Sequence, residues 1–241
     1  MRNLITITLI FTLLSQPVQA TCSADSGAQS QHLLELYTSE GCSSCPPADR
    51  FLSGLKNEKE LVPLAFHVDY WDRLGWSDRF AKAEFSRRQQ LISEHNDGSF
   101  SYTPQLILDG RDWRENGVSA SWRKKRVQSA GRLNLQVNRQ GTHRLAVEGS
   151  WSGGSGQIYV ALYENNLESN VVVGENAGRR LHHDFVVREL LGPLAVADGN
   201  FRHTFDLHPR WKLADIGIAA FVTAPGQTTI LQAVHLPLCA L

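Results

Sequence analysis

Gly41-Cys42-Ser43-Ser44-Cys45-Pro46 puts two thiols two residues apart, between a short apolar run and a helix candidate. That spacing lets the sulfurs bond without rearranging the chain. A helix N-terminus carries unpaired N–H groups and a partial positive charge, both of which favour a thiolate. The thiolate is the nucleophile of disulfide exchange, so the pattern points to a pair cycling between dithiol and disulfide. Gly41 leaves Cys42 with little steric cover and marks it as the nucleophile, with Cys45 as the resolving thiol. Pro46 and Pro47 delay the helix start, and a carboxylate at Glu40 would raise a thiol pKa, so the redox potential stays open. An inert structural disulfide is the alternative for the same two residues, although a bond closing so short a loop adds little stability.

Further side chains could serve that chemistry. Glu35, seven residues before Cys42, could accept the proton of Cys45; its other reading is a solvent-facing residue of an edge strand. Asp69, Trp71, Asp72 and Trp76 cluster where a buried strand ends, and Trp71 and Trp76 are candidates for holding an extended or unfolded substrate. Docking a second domain is the other use for these aromatics. Cys22 and Cys239 stand near the two ends of the exported chain, and since domain termini often lie together they are expected to form a structural staple. Zinc would need two more ligands beside the Cys-x-x-Cys, so neither metal nor cofactor is expected. Glu175, Arg179, Arg180, His182 and His183 read as a polar hairpin, and Arg123-Lys124-Lys125-Arg126 as a solvated basic face. Neither a Gly-rich phosphate loop nor a Ser-His-Asp order competes.

The elements that must position these residues follow from periodicity and punctuation. Arg2 precedes an apolar run, Leu4 to Leu14, and Val18-Gln19-Ala20 resembles a cleavage site, so residues 1–20 read as a secretory signal and 21–30 as a leader. Export places the cysteines in an oxidising compartment. It also removes the chain's one methionine. Equal numbers of basic and acidic side chains, 24 of each, argue against a nucleic-acid binder. His32–Tyr37, Leu61–Asp69 and Gln105–Leu108 read as strands, with helices over Pro46–Leu55, Asp78–His95 and Ala120–Ala130. From Gly131 onward short strands follow one another between Gly and Asn turns: 133–137, 143–148, 157–163, 185–187, 201–207, 216–222 and 229–236, with 171–173 as a further candidate. The expectation is an α/β domain over 31–130 and a β-sandwich over 131–241.

The order strand, Cys-x-x-Cys, helix, strand, helix, Tyr102-Thr103-Pro104, strand resembles the thioredoxin superfamily. That resemblance implies a cis Pro104 packed against the cysteines, with Thr103 and Pro104 presenting backbone to a substrate. LYTSEGCSSCPPAD, FHVDYWDRLGWSDRFA, YTPQLILDGR and GENAGRRLHHDFVVREL together resemble an uncharacterised secreted bacterial family that joins a thioredoxin-like domain to a β domain. The ordinary Trp-Cys-Gly-Pro-Cys signature is absent. His67 resembles a ligand of copper-delivery proteins of that superfamily, but it lies in an apolar run and reads first as a core histidine. The expectation is therefore an α/β thioredoxin-like domain followed by a β-sandwich, working in the periplasm or outside the cell. Cys42 and Cys45 would exchange disulfides with protein or small-molecule thiols of the envelope, without nucleic acid or a membrane span after signal cleavage. A non-catalytic binding module and a copper metallochaperone are the alternatives.

Overall fold

The computed structural model describes residues 21–96, 98, 101–113, 128–195 and 199–239; the expected signal segment 1–20 lies outside the described residues. Fourteen strands and two α-helices make up most of them. In chain order these are β1 (Thr21–Asp25), β2 (His32–Thr38), α1 (Pro46–Ser53), β3 (Leu61–His67), α2 (Ala83–His95), β4 (Gln105–Leu108), β5 (Arg111–Asp112), β6 (Leu133–Gln140) and β7 (Arg144–Trp151). There follow β8 (Gln157–Glu164), β9 (Leu167–Asn170), β10 (Arg180–His183), β11 (Val186–Ala195), β12 (Asn200–Asp206), β13 (Ile216–Thr223) and β14 (Ile230–Pro237).

The expected α/β thioredoxin-like domain followed by a separate sandwich is overturned. One eight-stranded sheet, in the order β14-β13-β8-β11-β3-β2-β4-β5, takes strands from both parts of the chain. The junction is β11 against β3, where Val186 pairs with Ala65 in parallel and Ala65 N–H donates to Phe185 O over 2.8 Å. The cause is a backbone requirement that side-chain patterning does not display. β3 is buried along its whole length, and a buried strand edge must pair its N–H and C=O groups. β2 pairs with one edge of β3, and β11 with the other. The change of pattern at Gly131 marks the end of the helices, while the sheet continues past it.

A second sheet, β1-β6-β7-β12, covers part of the first. Its Leu133, Leu135, Val147 and Phe205 pack with Val160, Leu162, Ile218 and Ala220 of the large sheet in one apolar core. The opposite face of β8 and β13 contributes Ala161, Tyr163 and Phe221 to the core that holds Phe85 and Ile92 of α2. The expected leader is also corrected, because Thr21–Asp25 is strand β1, paired with β6. Its cause is alternation, with Cys22 buried between exposed neighbours. Of the helix expected over 120–130, residues 120–127 lie outside the described residues, including Arg123 to Arg126, and Gln128 bridges Gln29. Val171–Val173, expected as a strand, is loop. Among the described residues no helix is long and apolar enough to cross a membrane.

Candidate functional site

Cys42 and Cys45 are joined as a disulfide where β2 gives way to α1, with their Cα atoms 5.4 Å apart. Cys45 is the N-cap of α1, and Pro46 and Pro47 fill the first helical positions, where a missing N–H is least costly. Successive bonds shape the turn: Cys42 N–H to Ser39 O and Cys45 N–H to Cys42 O, each 3.2 Å. Gly41 has a steric reason. A Cβ there would meet the Cβ of Trp71 at 3.3 Å, so that indole can sit beside the turn. Ser43 and Ser44 face outward, while both cysteines are 0% exposed. Ser44 Oγ lies 3.3 Å from Cys42 Sγ.

The cover over the disulfide comes from far along the chain. Between β8 and β11 the chain makes the two-stranded excursion β9–β10, and its tip, residues 171–179, folds over the Cys42 turn. Asn176, fully buried, donates from Nδ2 to Glu40 O at 2.8 Å and Cys42 O at 2.9 Å. Glu175 Oε2 accepts from Ser43 N–H at 3.0 Å, and the Ser43 hydroxyl, followed by that N–H, holds its carboxyl below the usual range. Gly178 N–H to Val171 O and Val171 N–H to Arg179 O close the tip on itself. On its outside, Val172 and Val173 are 71% and 45% exposed. The tip is therefore fastened by hydrogen bonds, with apolar groups facing water.

Beneath the turn lies a buried set of charges. His67 Nδ1 is 2.6 Å from Asp78 Oδ2, which also accepts from Glu40 N–H at 2.9 Å. Trp76 Nε1 donates to Glu40 Oε2 at 2.7 Å, and His183 Nε2 lies 3.4 Å from Glu40 Oε1. Asp49, one turn into α1 from Cys45, has an oxygen 3.8 Å from His183 Nδ1. The His67 and His183 rings meet edge to face with centroids 5.0 Å apart. Burial opposes the charged form of His67, but the carboxylates of Asp78, Asp49 and Glu40 outweigh it and raise its pKa. Asp78 is likewise opposed by burial, yet His67 holds its carboxyl below the usual range. Burial raises Asp49, with His183 and His67 opposing.

The sequence candidates divide. Trp71 and Thr103 come together, Trp71 Nε1 donating to Thr103 Oγ1 at 2.7 Å, and Trp71 links Gly41 to the Thr103–Pro104 bond, which is cis. Trp76, expected on the substrate side, is occupied by Glu40. Glu35 is not a solvent-facing edge residue. It sits on a central strand, 0% exposed, with Arg88 Nε at 2.7 Å and Tyr37 OH at 3.3 Å. Tyr37 shares that side of β2 and stacks on Phe66, which meets Phe85 of α2. Alternation puts Thr38 on the other side, close to Asp49 of α1. Glu35 thus lies on the α2 face of the sheet, across from the helix that Cys45 caps, which leaves Asp49, Glu40 and Asp78 as the buried carboxyls on the cysteine side. Cys22 and Cys239 are bonded, with Cα atoms 5.9 Å apart. Arg180 and His182 remain exposed, pairing with Glu168 and Asp184. Among the described residues no three His, Cys, Asp or Glu side chains form a group that could hold a metal ion. Sequence reasoning missed Asn176, Asp49 and Asp78, each of which has a polar neighbour in the chain and carries no local signal of burial.

The buried pair sets a pH window for stability. His67, with a raised folded pKa, contributes fully below its ordinary 6.5 and loses that contribution as pH rises through the higher folded value. Asp78, with a depressed folded pKa, contributes fully above its ordinary 3.8 and loses it as pH falls through the lower one. The pair therefore stabilises most between those ordinary values. Urea unfolding across pH 3–9 is expected to show a decline on the alkaline side that H67Q flattens. An unchanged alkaline limb in H67Q would mean that His67 is neutral in the folded chain.

A family described as a protein of unknown function (DUF1223) matches residues 33–223. A protein from Agrobacterium tumefaciens, known from its X-ray crystal structure, superposes with a TM-score of 0.58 at 24% identity, over 85% of this chain and 93% of that one. HBP35 of Porphyromonas gingivalis superposes at 0.61 with 16% identity, over 88% of this chain and 76% of that one. Both likenesses concern the fold. Among curated proteins none matches.

Proposed function

The chain belongs to the DUF1223 family of unknown function, and from the site itself we propose that it is an exported thiol–disulfide oxidoreductase acting through Cys42 and Cys45. The carrying observation is that the disulfide at the start of α1 is closed over by a hydrogen-bonded tip, not sealed into a packed core. A cover fastened by two neutral Asn176 bonds and one solvent-screened Glu175 bond can lift at modest cost, since a neutral hydrogen bond nets only about 1 kcal/mol in water. The local order of strand, Cys-x-x-Cys, helix, strand, helix, cis-proline and strand supports a kinship with thioredoxins in chemistry, within a different overall architecture.

With the tip raised, a substrate thiolate attacks Cys42 Sγ. The Cys42–Cys45 bond breaks, its electron pair leaves on Cys45, and a mixed disulfide joins the substrate to Cys42. A second substrate thiolate then attacks the substrate sulfur of that bond and expels Cys42. Two substrate thiols are thereby oxidised to a disulfide, and Cys42 and Cys45 are reduced. The reverse sequence reduces a substrate disulfide. Asp49, buried beside the helix start with a raised pKa, is the group placed to hold the proton of the departing Cys45. Trp71 and the Thr103–Pro104 backbone flank the turn as the substrate shelf, and exposed Val172 and Val173 offer apolar contact to an unfolded chain. Protein or small-molecule thiols of the envelope are the proposed partners.

The complete burial of Cys42 favours one second reading, a binding module in which the disulfide is inert. Asn176→Ala separates the two. For a gated exchange site, loss of both Nδ2 bonds is expected to speed reduction by dithiothreitol roughly tenfold. Wild-type turnover of a dithiol peptide should rise with it. An unchanged reduction rate, with the wild type inert toward the peptide, would leave the module reading in place.

A further inference from the structure

We infer that the cavity bounded by Arg79, Phe80, Glu164, Arg188, Arg210 and Trp211 is a binding site for a small oxyanion, a carboxylate or phosphate group on a compact molecule. The inference is independent of the cysteine chemistry. Four separate stretches converge there: the loop after β3 brings Arg79 and Phe80, the end of β8 Glu164, β11 Arg188, and the segment after β12 Arg210 and Trp211. The cavity measures about 270 Å³, enough for a molecule of roughly ten non-hydrogen atoms.

Its charge is unbalanced. Three guanidinium groups line the cavity against one carboxylate, Glu164, whose contact with Arg188 is a long 3.5 Å. Glu164 is 3% exposed and its Oε2 makes no hydrogen bond. Cations gathered in a low-dielectric recess repel one another unless an anion joins them. Burial, followed by the repulsion of Arg79 and Arg210, lowers the pKa of Arg188, against the attraction of Glu164 and Asp78. Arg188 is nonetheless held in place, its guanidinium carbon 4.9 Å from the Phe80 ring centre and 5.1 Å from that of Trp211. Arg79 lies over Phe80 at 4.6 Å and donates to Glu168 O at 2.6 Å. Guanidinium planes fixed by rings present paired donors that match carboxylate and phosphate geometry. Phe80 forms the far wall and meets the rings of His67 and His183 edge-on at 5.2 and 5.8 Å, so the cavity abuts the buried charges under the disulfide.

Calorimetric titration of the full chain with sodium phosphate and, separately, sodium benzoate tests this at constant ionic strength, with chloride as control. Saturable one-site binding that weakens with added salt is expected. Tighter phosphate binding would identify a phosphoryl ligand, and tighter benzoate binding a carboxylate next to an apolar body. Arg210→Ala, on the exposed rim, should keep the fold and weaken binding roughly tenfold or more. Arg188→Met should do the same while leaving reduction of Cys42–Cys45 unaltered. The inference is overturned if neither anion saturates, or if both variants titrate like the wild type.

Discussion

Cys42→Ser is expected to reduce turnover of a dithiol or disulfide peptide by a thousandfold or more, leaving only the background exchange of the assay. Exchange requires a sulfur that is attacked or that attacks, and a serine hydroxyl, un-ionised near neutral pH and unable to form a disulfide, supplies neither role. The loss would not come from unfolding. A bond closing a loop with a sequence separation of 3 constrains the unfolded chain by only about 2 kcal/mol in the chain-entropy account. Circular dichroism should show the variant folded, although slightly less stable. Cys45→Ser completes the test, since its free Cys42 thiolate should attack a substrate disulfide, expel one substrate thiolate and stay bonded to the other sulfur, visible by mass as one covalent adduct. Turnover surviving in Cys42→Ser would remove the proposed mechanism outright.

The second large effect concerns the staple. Replacing Cys22 and Cys239 together by alanine releases a loop with a sequence separation of 217, worth about 5 kcal/mol in the same account. Against a total stability of roughly 5–15 kcal/mol, that is enough to lower Tm by about 10–20 °C. The structural consequence is specific. Cys22 is buried in the core between the two sheets, on β1, and the bond ties that edge strand to the residues just after β14. Amide exchange should therefore quicken first in β1 and the Cys239 segment. An unchanged Tm would mean that strand pairing alone holds the terminus.

Much of this was legible in residue order. The strand before the cysteines, the helix after them, the buried strand Leu61–His67 and the short strands past Gly131 all follow from local pattern, because each depends on neighbours within a turn or two. The pairing of β11 with β3 was not, since partners separated along the chain leave no periodic trace. The same limit hid the site's cover. Glu175 and His183 were visible as a polar hairpin, but the contacts of Asn176 with Glu40 and Cys42 span more than 130 positions. Glu35 was misread because only the pairing of β2 between β3 and β4 shows that it is central, and only the packing of α1 shows which face it takes. Trp76 was taken for a contact surface because a half-buried indole near a cysteine motif gives no sign of where its N–H points.

The distance along the chain between the cysteines and the tip that covers them has a consequence in time. Synthesis delivers Cys42 and Cys45 together, while Asn176 follows more than 130 residues later and Cys239 only at the far end. For that interval the Cys42 turn stands open, and Cys22 waits without its partner. The neighbouring pair can close first, which keeps Cys22 from a wrong match until β14 is laid down. Shielding thus comes well after the sulfurs it covers, and an incompletely folded chain is the form in which Cys42 and Cys45 are most reactive.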